Sequence, residues 1–270
     1  MPKLRQLDLC SGVGAGFPFA AAKLGGFKLI GLAEIDDYCC DILTKRFPNI
    51  ANYGDVQRLA HTGAFGLQQI DLITASPPCQ PFSVQGQRLA ATDERNCFPA
   101  VLRIINIYKP RFAIIENVAG LLSCPYSPGD RKLYIDYIGS RFKRSGYSLD
   151  GAIISSGNFA APFDRRRLLL VASANSIKYK VQPSPWSEQI REFFETERDY
   201  QQRTGSKPGI SRECLQSTYW LDRSTGKQIG IGVNSGNGTI RDRRAALGNA
   251  LDWRVATVGL RRVLYLNSLI

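Results

Sequence analysis

The stretch "DLITASPPCQPFS", residues 71–83, joins a short apolar run to a proline-rich loop that carries Cys79. The apolar run predicts a buried strand. Pro77, Pro78 and Pro81 prevent a helix or central strand from continuing, because proline fixes φ at about −65° and has no backbone N–H. The loop therefore holds a cysteine rigidly at the carboxyl end of a strand, where open α/β sheets bind their ligands. At such a strand end, amide groups and helix dipoles can lower a thiol pKa, so this placement favours a reactive cysteine over a buried structural one.

Strand-like and helix-like segments alternate on both sides of this loop. Strands are expected at residues 4–9, 27–36, 71–75, 111–118, 148–156 and 166–174. Helices are expected at residues 17–26, 36–47, 96–110 and 131–144. The alternation predicts an α/β fold with a mostly parallel sheet and helices on both faces.

The alternation divides the chain into three parts. Residues 1–174 form the expected main domain. Residues 175–240 are polar and contain several Pro and Gly, which predicts irregular structure or short strands in a small separate region. Residues 241–270 return to apolar helical spacing, so we expect a C-terminal helix that packs back on the main domain.

The chain is basic, with a formal net charge of +12 and a pI of about 9.5. Residues 1–120 carry 12 Lys and Arg against 10 Asp and Glu, whereas residues 121–270 carry 23 against 13. The second part therefore favours a polyanionic partner. A merely soluble basic surface is the other explanation.

Composition also disfavours a metal site and a membrane-spanning segment. The seven cysteines lack metal-ligand spacing and His61 is the only histidine, so a zinc site built from Cys and His is not expected. No run of about 18 apolar residues occurs, and the N-terminus lacks the apolar segment of a signal peptide. We expect a cytoplasmic chain with reduced thiols and no membrane partner.

A glycine-rich segment, "DLCSGVGAGF", begins at the end of the first predicted strand. It contains Gly12 and Gly14, but the third glycine of a dinucleotide fingerprint would stand where the chain has Phe17. Pyrophosphate binding is therefore disfavoured, whereas close approach by another nucleoside cofactor stays open. A simple tight turn is the other explanation.

Two carboxylates follow this segment. Glu34 stands at the end of the second predicted strand, where a carboxylate can bind two ribose hydroxyls. Asp55, in "YGDV", is a candidate for binding an adenine amino group. Either residue alone is more commonly a solvated or helix-capping acid.

The segment "IIENV" places Glu116 at the end of another buried strand, where an unpaired carboxylate is unfavourable. Glu116 follows Cys79 by one strand–helix–strand crossover, so neighbouring parallel strands would bring the two side chains together. A later strand begins with three arginines. Arg165 and Arg167 are expected on one face of that strand and Arg166 on the other.

Five segments, "DLCSGVGAGF", "PPCQPFS", "ENV", "RRRLLLV" and "ALGNA", occur in this order along the chain. Together they resemble DNA cytosine-5 methyltransferases of the bacterial and phage modification type, over about residues 4–175 and 245–266. The resemblance implies a Rossmann-like S-adenosylmethionine-dependent methyltransferase fold with a small target-recognition lobe. It also implies methyl transfer to carbon 5 of a cytosine that is flipped out of duplex DNA, with S-adenosylhomocysteine as product and no metal.

The resemblance assigns a role to each matching residue. Cys79 is the nucleophile that attacks carbon 6 of cytosine, and Glu116 holds the protonated ring nitrogen 3 and the exocyclic amine. Arg167 contacts the ring oxygen 2, and Arg165 supports the cysteine loop. Glu34 binds the cofactor ribose, Asp55 its adenine amino group, and Ile35 covers the adenine face. The other implied cofactor-binding residues are Gly12, Gly14, Phe17, Pro78 and Asn249.

The chain differs from the family pattern at three places. Its glycine-rich loop has one more residue before Phe17, and Phe163 stands where glutamine is common. Asp252 and Trp253 replace the more usual apolar residue and proline after "GNAL". None of these differences removes a chemical group from the implied site.

Double-stranded DNA is the implied partner of a monomeric protein encoded by a bacterium or a phage, with a cognate restriction endonuclease as a candidate second partner. Two other functions stay open. One is a transfer RNA cytosine-5 methyltransferase of the same superfamily. The other is a catalytically inert DNA-binding relative, which the intact Cys79, Glu116 and Arg167 argue against.

Residues 175–240 are expected to form the lobe that reads the target bases. A region of this size presents few base-reading side chains, so we expect a recognition sequence of about two to four base pairs. Its basic residues, together with those just beyond it, would supply phosphate or guanine contacts. These candidates are Arg203, Lys207, Arg212, Arg223, Lys227, Arg241, Arg243 and Arg244.

Overall fold

The computed structural model describes residues 2–62, 69–83, 88–159, 164–204, 242, 246 and 249–270, and for 197–204 the backbone alone. The strands are β1 (Leu4–Leu9), β2 (Phe27–Ala33), β3 (Leu72–Ala75), β4 (Phe112–Val118), β5 (Tyr147–Ser155) and β6 (Arg166–Ala174). The helices are α1 (Phe17–Leu24), α2 (Asp37–Arg46), α3 (Val56–Thr62), α4 (Phe98–Tyr108), α5 (Tyr134–Arg144), α6 (Trp186–Thr204) and α7 (Trp253–Ser268). Each strand and helix predicted before residue 175 has a counterpart, whereas α3 was not predicted.

The strands form one sheet in the order β2-β1-β3-β4-β6-β5. Pairing is parallel from β2 through β4, and β6 is antiparallel to both β4 and β5. Five strands therefore run one way and β6 alone runs the other, which confirms the predicted mostly parallel sheet. The carboxyl ends of β1 to β4 and the amino end of β6 lie at the same edge, so residues far apart in sequence meet there.

Both faces of the sheet are covered, because successive residues of a strand point to opposite sides. On β4, Ala113 and Ile115 belong to the core that contains α3, α4 and α5. Phe112 and Ile114 belong to the core that contains α1 and α7. Burial of one such large apolar side chain stabilises the fold by about 1.5–3 kcal/mol, so the two cores hold the site-bearing edge in a rigid frame.

Helix α6 corrects the expectation of irregular structure or short strands after residue 175. Its apolar residues Trp186, Ile190, Phe193 and Phe194 follow helical spacing and pack against the core of α1 and α7. Phe193 also lies under the Arg261 guanidinium, which is 4.7 Å from the ring centroid. This helical pattern is difficult to recognise in the sequence, because prolines and polar residues dominate the surrounding segments.

No helix among the described residues is long and apolar enough to cross a membrane. Within the same ranges, no group of three or more His, Cys, Asp or Glu side chains is arranged to hold a metal ion.

Candidate active site

The loop after β3 is anchored on both sides of Cys79. The backbone N–H groups of Phe82 and Ser83 donate to the Cys79 carbonyl, at 3.0 and 2.9 Å, and close a tight turn. The Asn117 amide donates to the Pro77 carbonyl at 3.0 Å. Phe82 is fully buried, with its ring 5.3 Å from that of Phe98. The prolines, the turn and this aromatic anchor together explain why the cysteine is held so stiffly.

Glu116 and Arg167 meet beside this loop. Strands β3 and β4 are parallel neighbours, and β4 pairs with β6 so that Val118 lies opposite Arg167. Arg167 Nε lies 2.8 Å from Glu116 Oε1, and the two side chains are only 14% and 9% exposed. Arg165 is partly buried and Arg166 is exposed, which confirms the predicted alternation of the arginines.

Charges within the site act directly on Cys79. Burial and the Glu116 carboxylate raise the pKa of the Cys79 thiol, and Arg167 and Arg165 only partly oppose them. The sequence had suggested that backbone amides and helix dipoles lower this pKa. The structure reverses that expectation, because desolvation and the neighbouring carboxylate outweigh the two guanidinium groups.

Glu116 is also shifted toward its protonated form. Burial raises the pKa of the Glu116 carboxyl, although Arg167, Arg165 and Ser76 oppose that shift. A carboxyl whose pKa is raised toward neutrality can hold a proton for a reacting group. Burial therefore favours the neutral forms of both Glu116 and Cys79, and the two arginines favour the charged forms.

Glu34 lies just beyond β2 and is held by backbone N–H groups. Gly12 donates to Glu34 Oε2 at 2.6 Å, and Ile35 and Asp36 donate to Oε1, each at 2.9 Å. A carboxylate has about four acceptor positions, so at least one stays open for a ligand hydroxyl. Ile35 is 67% exposed, which places an apolar surface next to that open position.

Asn52 holds the backbone of Glu34 at two points, a role that the sequence reading missed. Its side-chain oxygen accepts from the Glu34 N–H at 3.0 Å, and its amide donates to the Glu34 carbonyl at 3.1 Å. The same oxygen accepts from the Gly54 N–H at 3.1 Å. The signal available in the sequence was an asparagine in the turn "ANYGD", a residue type that readily bonds nearby backbone.

Asp55 directly precedes helix α3. Its Oδ1 accepts a hydrogen bond of 2.7 Å from the Gln57 N–H, so the structure gives this exposed acid a helix-capping role. The second carboxylate oxygen remains available for a ligand amino group. Pro78, in the cysteine loop, is partly buried.

Two glycines of the glycine-rich loop, Gly12 and Gly14, have left-handed backbone conformations. Gly12 has φ +52° and open space where a Cβ would stand, so a ligand can come close to its backbone. Gly14 has φ +71°, and a Cβ there would lie 2.6 Å from the Phe47 ring. Gly12 therefore faces open space, whereas Gly14 allows tight packing against α2.

Phe17 is the first residue of α1, and its side chain is only 1% exposed. It packs in the core with Leu4, Phe27 and Leu251. Cys10, at the end of β1, lies close enough to Glu34 for the carboxylate to raise the pKa of its thiol. The sequence reading missed Cys10, although it directly precedes the glycine-rich loop.

The C-terminal segment lies on the glycine-rich loop. Ala246 is buried against Val13 and Ala15, and Asn249 is exposed. A Cβ on Gly16 would lie 2.9 Å from Leu251 Cβ, so the longer loop uses a glycine where this segment comes close.

The residues that replace the usual family pattern have structural partners. Asp252 caps α7 and forms a 2.8 Å ion pair with Arg254. Trp253 packs edge-on against Phe19, with ring centroids 5.8 Å apart, and Lys23 lies 4.3 Å from its ring centroid. The Asp252-Trp253 pair thus fixes the start of α7.

Phe163 lies outside the described residues, and so does most of the expected target-recognition region. The side chain of Arg203 is likewise outside the described part. So are the remaining candidates for contacting DNA, Lys207, Arg212, Arg223, Lys227, Arg241, Arg243 and Arg244.

The chain is similar to known proteins of one family. The family described as C-5 cytosine-specific DNA methylase matches residues 4–244. The orphan methyltransferase M.SPRI of Bacillus phage SPR is 31% identical over 195 residues, which cover 69% of this chain and 41% of the phage protein. The type II methyltransferase M.NgoMIV of Neisseria gonorrhoeae is 31% identical over 187 residues, covering 68% and 56%. The chain thus spans about half the length of the curated relatives that it matches.

Among solved structures, the S. pombe Dnmt2 methyltransferase matches with a TM-score of 0.61. The match covers 99% of this chain and 98% of that one, at 18% sequence identity. At this identity the likeness shows a shared fold.

Proposed function

The chain belongs to the C-5 cytosine-specific DNA methylase family, and on that basis we propose that it transfers a methyl group to carbon 5 of cytosine in DNA. The methyl donor is S-adenosylmethionine, and the target cytosine is flipped out of a short duplex recognition sequence. One observation carries the proposal. The rigid Cys79 loop lies beside a buried Glu116–Arg167 pair, with 2.8 Å between Nε and Oε1.

In this proposal Cys79 is the nucleophile. Its thiolate adds to carbon 6 of cytosine, which turns carbon 5 into an enamine-like nucleophile. The raised pKa of the thiol means that its proton must leave before attack. Glu116 accepts this proton in the proposal, because a protonated carboxyl no longer repels the thiolate.

Glu116 and the arginines would stabilise charge on the base. A proton held between Glu116 and ring nitrogen 3 prevents negative charge from building on the ring when the thiolate adds. Arg167 would contact the ring oxygen 2, and Arg165 would support the cysteine loop from the same edge. After methyl transfer, solvent water takes the carbon 5 proton. The electron pair of that C–H bond re-forms the 5,6 double bond and expels Cys79 as a thiolate, which restores the aromatic ring.

The residues around Glu34 fit an adenosine-containing cofactor. Glu34 retains an acceptor position, Ile35 offers an exposed apolar face, and Gly12 has open space above its backbone. When bound, S-adenosylmethionine supplies an electrophilic methyl group. We propose that Glu34 holds the ribose and that Asp55 and Ile35 hold the adenine.

Duplex DNA is the proposed substrate because a paired cytosine cannot be reached inside the helix and must be extruded. The excess of Lys and Arg in residues 121–270 supports binding to phosphates. The relatives M.SPRI and M.NgoMIV are named as methyltransferases of orphan and type II kinds. We therefore propose a modification enzyme of a bacterium or phage that acts in the cytoplasm.

DNA that contains 5-fluorocytosine tests the nucleophile. In the presence of S-adenosylmethionine the protein should form a denaturation-resistant adduct with this DNA, because fluorine blocks the final elimination. Cys79→Ala should form none, whereas the matched control Cys124→Ala should form the adduct. An adduct in Cys79→Ala would show that another residue is the nucleophile.

The same preparation separates the alternatives. Methyl transfer to transfer RNA but not to duplex DNA would replace the proposed substrate with that of the RNA-modifying relatives. DNA binding without methyl transfer or adduct formation would indicate an inert DNA-binding protein.

A further inference from the structure

The start of α7 is joined to the segment between β5 and β6. Arg254, in the first turn of α7, has a side chain that is only 8% exposed. Its Nε and Nη2 atoms donate to the two carboxylate oxygens of Asp252, at 3.1 and 2.8 Å. Its Nη1 atom donates to the Phe159 carbonyl at 2.8 Å, 95 residues away in the chain. One guanidinium group therefore connects the C-terminal helix to the segment that precedes the arginines of β6.

That segment is bonded in turn to Arg165. A 3-10 helical turn covers Ser156–Phe159, and the N–H of Ser156 donates to the Arg165 carbonyl at 3.2 Å. Just before this turn, the Ser155 hydroxyl donates to the Asp164 carboxylate. The position of the Ser156–Phe159 turn therefore constrains the backbone from which the Arg165 side chain extends.

We propose that Arg254 is a positioning residue of the candidate active site, which holds the Ser156–Phe159 turn, and with it Arg165, beside the Cys79 loop. The role of Arg165 in methyl transfer rests on the proposed function. The effect of Arg254 on the Cys79 thiol does not.

Stability alone does not account for the buried pair of Arg254 and Asp252. Burying two charges costs desolvation free energy that their attraction often only offsets. Asp252 already caps α7 without the guanidinium, because it accepts from the Arg254 N–H at 3.0 Å. The guanidinium adds the contact with Phe159, through the carbonyl and through the ring, whose centroid lies 5.5 Å from the Arg254 Cζ. A planar fork of donors can hold a carboxylate and a carbonyl at the same time.

The position of Arg165 affects the reactivity of Cys79. Burial raises the pKa of the Cys79 thiol, and Arg165 is one of the two arginines that oppose this shift. If the Ser156–Phe159 turn loosens, the Arg165 guanidinium is no longer held beside Cys79, and the pKa of the thiol rises further. Because the thiolate is the nucleophile, loss of Arg254 should make Cys79 less reactive at neutral pH.

Alkylation of Cys79 measures this effect without any methyl transfer. Removal of Arg254 alone would leave the Asp252 carboxylate buried without its partner, so we compare Asp252→Asn with the double variant Asp252→Asn and Arg254→Ala. Asparagine can still cap α7. Each full-length protein is treated with iodoacetamide at several pH values. Mass spectrometry then quantifies the tryptic peptide 59–88, in which Cys79 is the only cysteine.

The double variant should alkylate Cys79 about three-fold more slowly than Asp252→Asn at neutral pH, with its pH profile displaced to higher pH. Arg254→Lys in the Asp252→Asn background should recover part of the rate, because an ammonium group can still donate to the Phe159 carbonyl. The exposed Arg191→Ala serves as the control and should match the wild type. Equal profiles for Asp252→Asn and the double variant would overturn the proposal.

Cys124 separates positioning from a general loosening of the fold. This cysteine is fully buried and lies in the tryptic peptide 112–131. It should stay unreactive toward iodoacetamide in every variant. A slower reaction of Cys79 that is accompanied by alkylation of Cys124 would show that Arg254 only stabilises the fold, and would overturn the proposal.

Methyl transfer on the same preparations keeps the two proposals apart. The double variant should have a lower kcat than Asp252→Asn and nearly the same KM for S-adenosylmethionine, because the Ser156–Phe159 turn lies next to the arginines on the proposed base side. A rise in KM alone would contradict positioning on that side. If the wild type transfers no methyl group, the proposed function is wrong, and alkylation of Cys79 still decides the role of Arg254.

Discussion

The opposing effects of Glu116 and the two arginines on Cys79 decide the reactivity of the candidate site. Burial raises the pKa of both Cys79 and Glu116, and Arg165 and Arg167 oppose both shifts. Burial thus favours the neutral form of each group, and the two arginines favour the charged form. In the proposed function, this arrangement would supply a nucleophile without a histidine, in a chain whose only histidine is His61.

Glu116→Gln separates the proposed proton transfer by this carboxylate from its effect on the pKa of Cys79. Methyl transfer should fall by about 10²-fold or more, because a positioned proton-handling group is lost. Alkylation of Cys79 by iodoacetamide at neutral pH should become faster, because the charge that raises the pKa of Cys79 is gone. Rates of both reactions are measured on the same preparation, with Glu94→Gln as the control. Unchanged methyl transfer between pH 6 and 8 would argue against the proposed role.

Asn52 is a positioning residue, because it holds the Glu34 backbone rather than a substrate. Asn52→Ala should raise the KM for S-adenosylmethionine by about five-fold, the effect of losing roughly 1 kcal/mol of hydrogen bonding, and leave kcat nearly unchanged. Glu34→Ala should weaken cofactor binding by about 1–3 kcal/mol. Initial rates over a range of cofactor concentrations measure both effects. A fall in kcat at unchanged KM for Asn52→Ala would contradict a positioning role.

At the scale of elements, strands β1 and β3 are joined by a buried polar chain as well as by their backbone pairing. The Gln6 amide donates to Thr74 Oγ1 at 2.9 Å, and the Thr74 hydroxyl donates to Asp8 Oδ1. Asp8 lies near Cys10 and Glu34. Ionisation of Asp8 therefore affects the stability of the sheet, and it occurs close to the edge that carries the candidate site.

The stability of the protein should depend on pH through Asp8. Burial raises the pKa of Asp8 from 3.8 to about 7, although Thr74 and Ser11 oppose that shift. The folded state therefore holds a proton that the unfolded state releases at lower pH. The resulting stabilisation is full below about pH 3.8 and is lost as pH rises to about 7.

Asp8→Asn should flatten this dependence, which can reach about 1.4 kcal/mol per pH unit for one group. Urea unfolding at several pH values between about 4.5 and 7.5 measures it, with the exposed Asp37→Asn as the matched control. An Asp8→Asn profile as steep as that of the wild type would show that another group causes the dependence.

At the scale of the whole molecule, two buried cores and the C-terminal helix support one functional edge. Helix α7 packs against α1 and lies next to β4, where a Cβ on Gly259 would be 3.2 Å from Ile114. The segment before α7 covers the glycine-rich loop through Ala246 and Leu251. The end of the chain thus stabilises the proposed cofactor side, while β4 and β6 support the proposed base side.

Target selection is expected to depend on residues 175–240, with a recognition sequence of about two to four base pairs. Methylome sequencing of cells that express the protein should reveal this sequence. Arg223→Ala should change or relax it, whereas Arg131→Ala in the main domain should not. A defined sequence longer than about five base pairs, or an unchanged preference in all arginine variants of the region, would contradict this expectation.

Much of this protein could be predicted from local patterns in its sequence. Proline geometry around Cys79, the alternation of strand and helix segments, and the crossover between Cys79 and Glu116 each depend on residues close together along the chain. Those patterns therefore sufficed for the mostly parallel sheet and for the meeting of Cys79 and Glu116, whereas the place of Arg165 and Arg167 beside them was implied only by the resemblance to DNA cytosine-5 methyltransferases. Helix α6 was the exception, because its apolar spacing lies between polar and proline-rich segments.

Only the tertiary structure decided which neighbouring side chains reach the site and how their charges balance. It buried Phe17 in the core with Leu4, Phe27 and Leu251, and it brought Cys10 close enough to Glu34 for the carboxylate to raise the pKa of the thiol. It also paired Asn52 with Glu34. Finally, it raised rather than lowered the pKa of Cys79. Such outcomes depend on desolvation and on contacts between residues distant in sequence, which no local pattern specifies.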